Sequence, residues 1–187
     1  MILAMRNNYH SLHLLELVEQ RQPIDKYLID QADLNIRDKK GRNALYWAIK
    51  NHSKRNVSLL LEYKISLLVG YELNACFHAI ESQNVEALML LFTKGLSIDI
   101  QNERGQSLIM KAIEYENIVM VQYLINKEID LYIMDDNYDL VEDYAKRCKN
   151  QRVSELVHYT VLNKQILEAY KDCTACGVGQ QSLCGIK

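Results

Sequence analysis

The sequence has few residues that end helices or cross-link the chain. Its 187 residues include a single proline, Pro23, and seven glycines. Because proline and glycine are the residues least compatible with helix interiors, their scarcity favours a mostly helical protein. The five cysteines are odd in number and unevenly spaced, which is not typical of a secreted disulfide framework. We therefore expect a reducing, cytoplasmic environment.

The sequence also lacks a dominant charge and a long apolar run. The 22 lysines and arginines nearly balance the 24 aspartates and glutamates, so no overall field would attract nucleic acid or an anionic membrane. No run approaches the roughly 18 apolar residues that indicate a transmembrane helix, and residues 1–10 do not have the pattern of a secretory signal. The remaining composition, 49% hydrophobic and 25% charged, is that of a globular protein with one substantial core.

What the sequence does contain is an internal repeat. Three segments align on an alanine near the start of a predicted helix, at Ala48, Ala79 and Ala112. Apolar residues recur nine, twelve and thirteen positions after each alanine, and this spacing predicts one buried face of a second helix. In the first of these units the apolar residues are Val57, Leu60 and Leu61. Each unit therefore reads as a pair of helices.

Two less regular copies extend the repeat in both directions. One surrounds Ala145, and the other has Leu15 in the alanine position, so that the five reference positions are 33, 31, 33 and 33 residues apart. Such a period indicates stacked helix pairs that bury their apolar faces against one another. Polar turns join the units, and we expect positive φ at Gly41 and Gly105, seven residues before an alanine.

These units resemble ankyrin repeats, whose pattern is Asp-x-x-Gly-x-Thr-Pro-Leu-His-x-Ala followed by a Val-x-x-Leu-Leu helix. The resemblance is strongest over residues 38–48 and covers residues 8–158. It implies an all-α ankyrin-repeat solenoid of stacked helix-turn-helix units with β-turn-like fingers. The Thr-Pro pair is absent, so we expect Asn43, Asn74 and Ser107 to cap the helices instead. The short step from Ala48 to Ala79 predicts a truncated or bent finger around residues 66–72.

The repeat also sets the expected domain boundaries. We place an ankyrin-repeat domain over residues 1–158, with Pro23 as the first residue of the second helix in its N-terminal unit. A C-terminal capping helix would follow over residues 159–171, and a flexible tail over residues 172–187. The units of the domain lie near residues 8–36, 37–68, 69–101, 102–134 and 135–158.

The resemblance further implies binding to another protein through the concave face and the finger tips. Trp47 and Tyr115 would be aromatic anchors there, although Trp47 could instead pack on its neighbouring repeat. The finger tips change from basic to acidic along the chain, which would orient a partner, unless these tips are charged only because they are solvated. The predicted partner-binding residues are Lys39, Lys40, Arg42, Trp47, Lys50, Asn51, His78, Glu81, Lys111, Glu114, Tyr115 and Tyr144.

No catalytic or cofactor motif stands out. The cysteines Cys173, Cys176 and Cys184 lack a fourth zinc ligand nearby, and the five histidines fall on different units. We therefore expect no enzymatic activity, no metal or other cofactor, and no nucleic-acid or membrane partner.

Three functions remain open at this point. The first is an inhibitor, such as an immunity or antitoxin-type protein that masks a toxin or a host enzyme. The second is a scaffold or secreted effector adaptor, and the third, remote one is a ligand-binding protein or small enzyme. We expect the free chain to be a cytoplasmic monomer.

Overall fold

A computed structural model describes the backbone of residues 2–175 and the side chains of residues 9–171. Within this range the regular structure is helical, apart from two isolated β-bridges. The all-α ankyrin solenoid predicted from the sequence is confirmed. The helices are α1 (Ile2–Glu19), α2 (Lys26–Gln31), α3 (Ala44–Lys50), α4 (Lys54–Glu62), α5 (Ala75–Glu81), α6 (Val85–Thr93), α7 (Leu108–Glu114), α8 (Ile118–Asn126), α9 (Val141–Arg147) and α10 (Gln151–Ala175).

The helices form two layers. The first helix of each pair, which we call the inner helix, contacts the next inner helix, so that α1, α3, α5, α7 and α9 form one row. The second, outer helices pack behind them, as α4 does against α6 and α8 against α10. Ala48, Ala79 and Ala112 are fully buried, because a small side chain lets neighbouring inner helices approach closely. The core therefore exists only through the stacking of units.

Two of the three predicted inner-helix caps are confirmed. The side-chain oxygen of Asn43 accepts a hydrogen bond from the Tyr46 N–H at 3.0 Å, and that of Asn74 accepts one from the Cys76 N–H at 2.8 Å. Ser107 precedes α7 as expected, but its buried hydroxyl has no hydrogen-bond partner among the described residues. The prediction of a side-chain cap from Ser107 is therefore wrong.

The first unit differs from the prediction in two respects. Pro23 does not begin α2, which starts at Lys26 and is capped by the Asp25 carboxylate. In the second, third and fourth units, the carbonyl of the reference alanine accepts a hydrogen bond from the N–H five residues later, which closes the bend after the inner helix. In the first unit this bond joins the Gln22 N–H to the Leu17 carbonyl at 2.8 Å, so Leu17 replaces Leu15 as the reference residue. The apolar run around these leucines is compatible with either register.

Four five-residue fingers connect the units. They comprise residues 38–42, 69–73, 102–106 and 135–139, and in each the first N–H donates to the last carbonyl at 2.9 to 3.1 Å. The fourth residue of each finger has positive φ, which confirms the prediction for Gly41 and Gly105. Glu72 and Tyr138 adopt the same left-handed conformation in the other two fingers.

The second finger is complete, which corrects the expectation of a truncated finger. After the outer helix, the first residue with positive φ is Lys64 in the second unit and Gly95 in the third. Four residues separate Lys64 from its finger, whereas six separate Gly95 from its own. The two missing residues therefore belong to the segment that leads into the finger, and the turn itself is unchanged.

The last unit ends in one long outer helix. Helix α10 runs without a break through residues 159–171, so the segment predicted as a capping helix continues the outer helix of the fifth unit. Its first half is anchored by the buried Val153, Val157 and Val161. The predicted flexible tail begins within this helix, and residues 176–187 lie outside the described range. Within that range, no helix is long and apolar enough to cross a membrane.

Candidate protein-binding face

The inner helices and the fingers together form one side of the stack, which we call the inner face. Three clefts lie along it, one between each pair of neighbouring units from the second to the fifth. Their volumes are about 290 Å³ between α3 and α5, 370 Å³ between the second and third fingers, and 680 Å³ beside the fourth finger. The face is therefore a series of shallow, polar grooves rather than one deep pocket.

A cluster of cations and aromatic rings lies where the first finger meets α3. The Arg42 guanidinium carbon is 4.2 Å from the centre of the Trp47 ring and 5.1 Å from that of Tyr46. The Lys50 ammonium lies 5.2 Å and 5.9 Å from the same two rings. Asp38 holds the guanidinium at 2.6 Å. We call Arg42, Tyr46, Trp47 and Lys50 the first-finger cluster, in which ring stacking and an ion pair fix the cations in place.

The aromatic anchors predicted from the sequence are mostly buried. Trp47 is only 9% exposed, His78 4% and Tyr144 7%, so the prediction that these rings emerge on the inner face is wrong. The Arg42 and Lys50 side chains cover Trp47, and Tyr46 covers His78 by stacking on it with a ring-centre separation of 4.0 Å. Lys50 lies one helical turn after Trp47 in α3, whereas Arg42 comes from the first finger and Tyr46 covers His78 from the preceding unit, so spacing within one helix does not reveal the full coverage.

Tyr46 is the functional candidate that the sequence analysis missed. Its ring is partly exposed and lies between the first-finger cations and His78. The sequence offers one signal for Tyr46, an aromatic ring two residues before the reference alanine. This signal does not distinguish exposed from buried rings, because the equivalent Phe77 is buried. Tyr115, in contrast, is exposed as predicted, with the Lys111 ammonium 5.5 Å from its ring centre.

Two buried titratable groups beneath this face, His78 and Cys76, are uncharged at neutral pH. Burial lowers the pKa of His78 to about 4, with a smaller contribution from Lys50 and against the hydrogen bond to the Tyr46 carbonyl. The His78 Nε2–H donates to that carbonyl at 3.1 Å. Burial raises the pKa of the Cys76 thiol to about 12. These two side chains are therefore held in their neutral forms and act as parts of the core.

In the middle of the face, three predicted residues form one network. The Lys111 ammonium is 3.1 Å from the Glu114 carboxylate and 3.9 Å from that of Glu81. The Gln106 side-chain amide donates to Glu114 at 2.8 Å. Burial raises the pKa of Glu81, an effect that Lys111 opposes and Glu114 reinforces. The residues are together on the inner face, as expected, but their charges largely compensate one another.

Asn51 and the acidic end of the face have structural roles. The Asn51 amide donates to the Val18 carbonyl at 2.8 Å and so joins α3 to α1. In the fourth finger, Asp135 is buried and accepts a hydrogen bond from the Tyr144 hydroxyl at 2.7 Å, while Asp139 pairs with Arg147 at 2.7 Å. The acidic end of the predicted charge gradient is therefore weaker than the sequence indicates.

The basic end of the gradient remains accessible. Lys39, Lys40 and Lys50 are exposed around the first finger and α3. Near the middle, Glu72 and Glu103 project from the second and third fingers and are also exposed. Of these five charges, Glu72 and Glu103 were not among the predicted binding residues.

The repeat geometry, the fingers and the buried alanines agree with a family comparison. A family model for ankyrin repeats in three copies matches residues 1–102. The chain belongs to the ankyrin repeat family. Ankyrin repeats are protein–protein interaction modules and are typically not enzymes, so this chain is a protein–protein interaction module. Among the described residues, no group of histidine, cysteine, aspartate and glutamate side chains could hold a metal ion, and the side chains of Cys173, Cys176 and Cys184 lie outside them.

Curated relatives of this ankyrin repeat protein are much longer than the chain. The nuclear factor NF-kappa-B p105 subunit of Gallus gallus is 27% identical over 146 residues, which are 74% of this chain and 15% of that protein. The p105 subunit of Mus musculus is 32% identical over 114 residues, 58% of this chain and 12% of that protein. An ankyrin repeat protein of fowlpox virus is 31% identical over 134 residues, 68% of this chain and 22% of that protein. The chain thus spans less than a quarter of these relatives.

Proposed function

We propose that this ankyrin repeat protein binds a partner protein across its inner face and thereby masks an enzyme. The observation that carries the proposal is the first-finger cluster. Its Arg42 guanidinium is held by stacking on Trp47 and by Asp38, so it is ordered before a partner arrives, and little of its side-chain entropy remains to be lost on binding. Exposed Lys39 and Lys40 extend the positive surface beyond it. The partner we expect has an acidic patch that meets this end of the face.

The inhibitory role is supported by the extent of the face. Grooves run from α3 to the fourth finger, so a docked protein would be covered over several units at once. Such coverage closes the partner's own surface to substrates. The alternative, a scaffold or effector adaptor, would instead leave the partner active and connect it to a second protein.

The proposal is tested by affinity capture with quantitative mass spectrometry from the native cell, followed by binding measurements on the captured protein. The variant Lys39→Glu with Lys40→Glu should lose the partner, because like charges then face its acidic patch. The matched control is Lys64→Glu with Lys127→Glu, two exposed lysines that follow outer helices. That control should capture the partner as the unmodified chain does.

Activity of the captured partner decides between masking and scaffolding. If the partner is an enzyme, adding the chain should reduce its activity until a one-to-one ratio is reached. Full activity at saturation would reject masking in favour of a scaffold. Loss of the partner from the control pair, with retention by the Lys39 and Lys40 pair, would reject the inner face as the binding surface.

A further inference from the structure

Hydrogen bonds join the fingers to one another through the residue that precedes each finger. The Arg37 guanidinium, before the first finger, donates to the carbonyl of Leu68, before the second, at 2.9 Å. The Gln101 amide donates in the same way to the Met134 carbonyl at 3.0 Å. Leu68 occupies this position between them and has no side-chain donor. A side-chain hydrogen bond from Leu68 to the Gln101 carbonyl therefore cannot form. The Gln101 carbonyl thus lacks the hydrogen bond that the Leu68 and Met134 carbonyls accept.

Close packing joins the same pairs of fingers, the first with the second and the third with the fourth. A Cβ added to Gly41 in the first finger would lie 2.6 Å from the Tyr71 ring of the second. A Cβ added to Gly105 in the third would lie 2.8 Å from the backbone nitrogen of Asp136 in the fourth. The first and second fingers are thus in contact, as are the third and fourth. Between the second and third the chain leaves the cleft of about 370 Å³.

This cleft combines an apolar floor with carboxylates at its mouth. Leu73 and the buried Phe77 line the floor. Glu72 and Glu103 come from opposite fingers, and the neighbouring Glu72 carboxylate raises the pKa of Glu103. Arg104 offsets part of this negative charge. Glu81 and Lys111 also line the cleft and pair with each other at 3.9 Å, so the cleft has three carboxylates and two cations in all.

We propose that this cleft receives an arginine side chain of the partner protein. The guanidinium would donate to the carbonyls of Glu72 and Gln101 and pair with the carboxylates of Glu72 and Glu103. Its aliphatic part would pack on Leu73 and Phe77. This inference rests on the proposed function and names one contact within it.

The chain contains its own example of such an arginine. Arg37 donates to the Gly41 carbonyl at 2.7 Å and to the Leu68 carbonyl at 2.9 Å. One unit further along, Glu72 occupies the position of Gly41, seven residues before the reference alanine, and Gln101 occupies that of Leu68, eleven residues before it. Arginine suits this site better than lysine because its planar group presents several donors in a fixed arrangement. The partner's arginine would thus donate the two hydrogen bonds that Leu68, which has no side-chain donor, cannot form.

Nuclear magnetic resonance titration of the full chain tests the pocket directly. The probes are N-acetyl-arginine amide and N-acetyl-citrulline amide, which have nearly the same shape but differ in charge. Arginine should cause saturable shifts in the backbone amides of Glu72, Leu73 and Gln101, with binding at least about tenfold tighter than for citrulline, since charge-assisted hydrogen bonds are lost with the latter. Equal binding of both probes, or shifts confined to other residues, would overturn the proposal.

The variant Leu68→Gln supplies the missing donor from within the chain, as Gln101 does in its own unit. It should weaken arginine binding by about tenfold or more, because the Gln101 carbonyl is then occupied. Met89→Gln, at an exposed position of α6, is the matched control and should bind arginine normally. The pair Glu72→Gln with Glu103→Gln should also weaken binding and gives a second test if Leu68→Gln fails to fold. Unchanged arginine binding in the folded variants contradicts the proposal.

Partner capture separates this inference from the proposed function. Loss of the partner by both Leu68→Gln and the Lys39 and Lys40 pair would support the two together. If Leu68→Gln captures the partner with unchanged affinity while the lysine pair does not, the arginine site is wrong and the inner-face function stands. If both variants retain the partner unchanged, the proposed function fails as well.

Discussion

At the scale of single residues, the fourth position of each finger imposes one backbone conformation on four different residues. Gly41 and Gly105 adopt positive φ without a steric penalty, whereas Glu72 and Tyr138 adopt it at a cost. At Gly105 the neighbouring finger also excludes a side chain, because backbone atoms of Asp136 lie close to where a Cβ would be. The same position therefore tolerates different substitutions in different fingers.

We predict opposite outcomes for two substitutions at this position. Gly105→Ala should destabilise the protein by roughly 1 to 3 kcal/mol, because it adds both strain and a backbone clash. Tyr138→Gly should leave stability unchanged or raise it by up to about 1 kcal/mol. Glycine removes the steric cost of the left-handed conformation in the folded state, but it also increases the conformational entropy of the unfolded chain, which offsets part of that gain. Urea unfolding monitored by circular dichroism measures both. Equal destabilisation by the two variants would contradict this account.

Buried His78 makes stability depend on pH. Its folded pKa of about 4 lies below the unperturbed value of 6.5, so the unfolded chain binds a proton more readily between these values. The contribution of neutral His78 is therefore fully present above pH 6.5 and is lost as the pH falls toward 4. The change is on the order of 3 kcal/mol.

The variant His78→Gln should remove much of this pH dependence while keeping a donor for the Tyr46 carbonyl. Urea midpoints measured between pH 7 and pH 4.5 should fall less steeply for this variant than for the unmodified chain. The control His52→Gln, at an exposed position, should retain the original slope. An unchanged slope in His78→Gln would show that another group controls the acid response.

At the scale of secondary-structure elements, helix α10 divides into an anchored half and an exposed half. The anchored half contributes Val153, Val157 and Val161 to the core. Beyond them, the Tyr132 hydroxyl donates to Glu168 at 3.4 Å, and the Lys164 ammonium lies 5.2 Å from the Tyr132 ring. These contacts are solvent-exposed and weak, so the second half adds little to the stability of the stack.

Truncation of α10 tests this division. Ending the chain after Lys171 should leave the cooperative unfolding transition and its midpoint nearly unchanged, since the sequence of residues 172–187 has too few apolar residues to build a packed element. Ending it before Val153 should prevent cooperative folding, because α8 and α9 then lose the helix that covers them. A large loss of stability in the shorter truncation would mean that residues beyond 171 contribute to the fold.

At the scale of the whole molecule, the inner face is electrostatically uneven although the net charge is only −2. Exposed lysines surround the first finger and exposed Glu72 and Glu103 project from the second and third, whereas Lys111, Glu114, Asp139 and Arg147 are paired within the chain. If a partner docks on this face, the unpaired lysines act mainly during its approach.

We predict that Lys39→Gln with Lys40→Gln slows association with the captured partner several-fold and flattens its dependence on salt concentration. The dissociation rate should change less, because rim charges influence encounter more than the docked state. Surface plasmon resonance at two or more salt concentrations measures both rates. Tyr115→Ala, which removes an exposed ring, should instead accelerate dissociation. A change confined to dissociation in the lysine variant would contradict steering.

The repeat itself could be predicted from the sequence because it rests on local rules. Spacing of the alanines and apolar residues determines which helix sides are buried, and glycine at Gly41 and Gly105 indicates positive φ. The same rules did not identify the correct register where two alternatives are equally apolar, as at Leu15 and Leu17. They also predicted a cap hydrogen bond from the Ser107 hydroxyl that does not form.

The composition of the binding face was decided by contacts between units, which no spacing within one unit contains. His78 is buried because Tyr46 of the preceding unit stacks on it, and the Tyr144 hydroxyl accepts a hydrogen bond from Gln106 of the preceding unit. The proposed arginine site depends on such contacts too, since the missing donor at Leu68 matters only because stacking places Arg37 and Gln101 against the fingers that follow them. Burial and pairing depend on neighbours distant in sequence, and only the stacked structure brings those neighbours together.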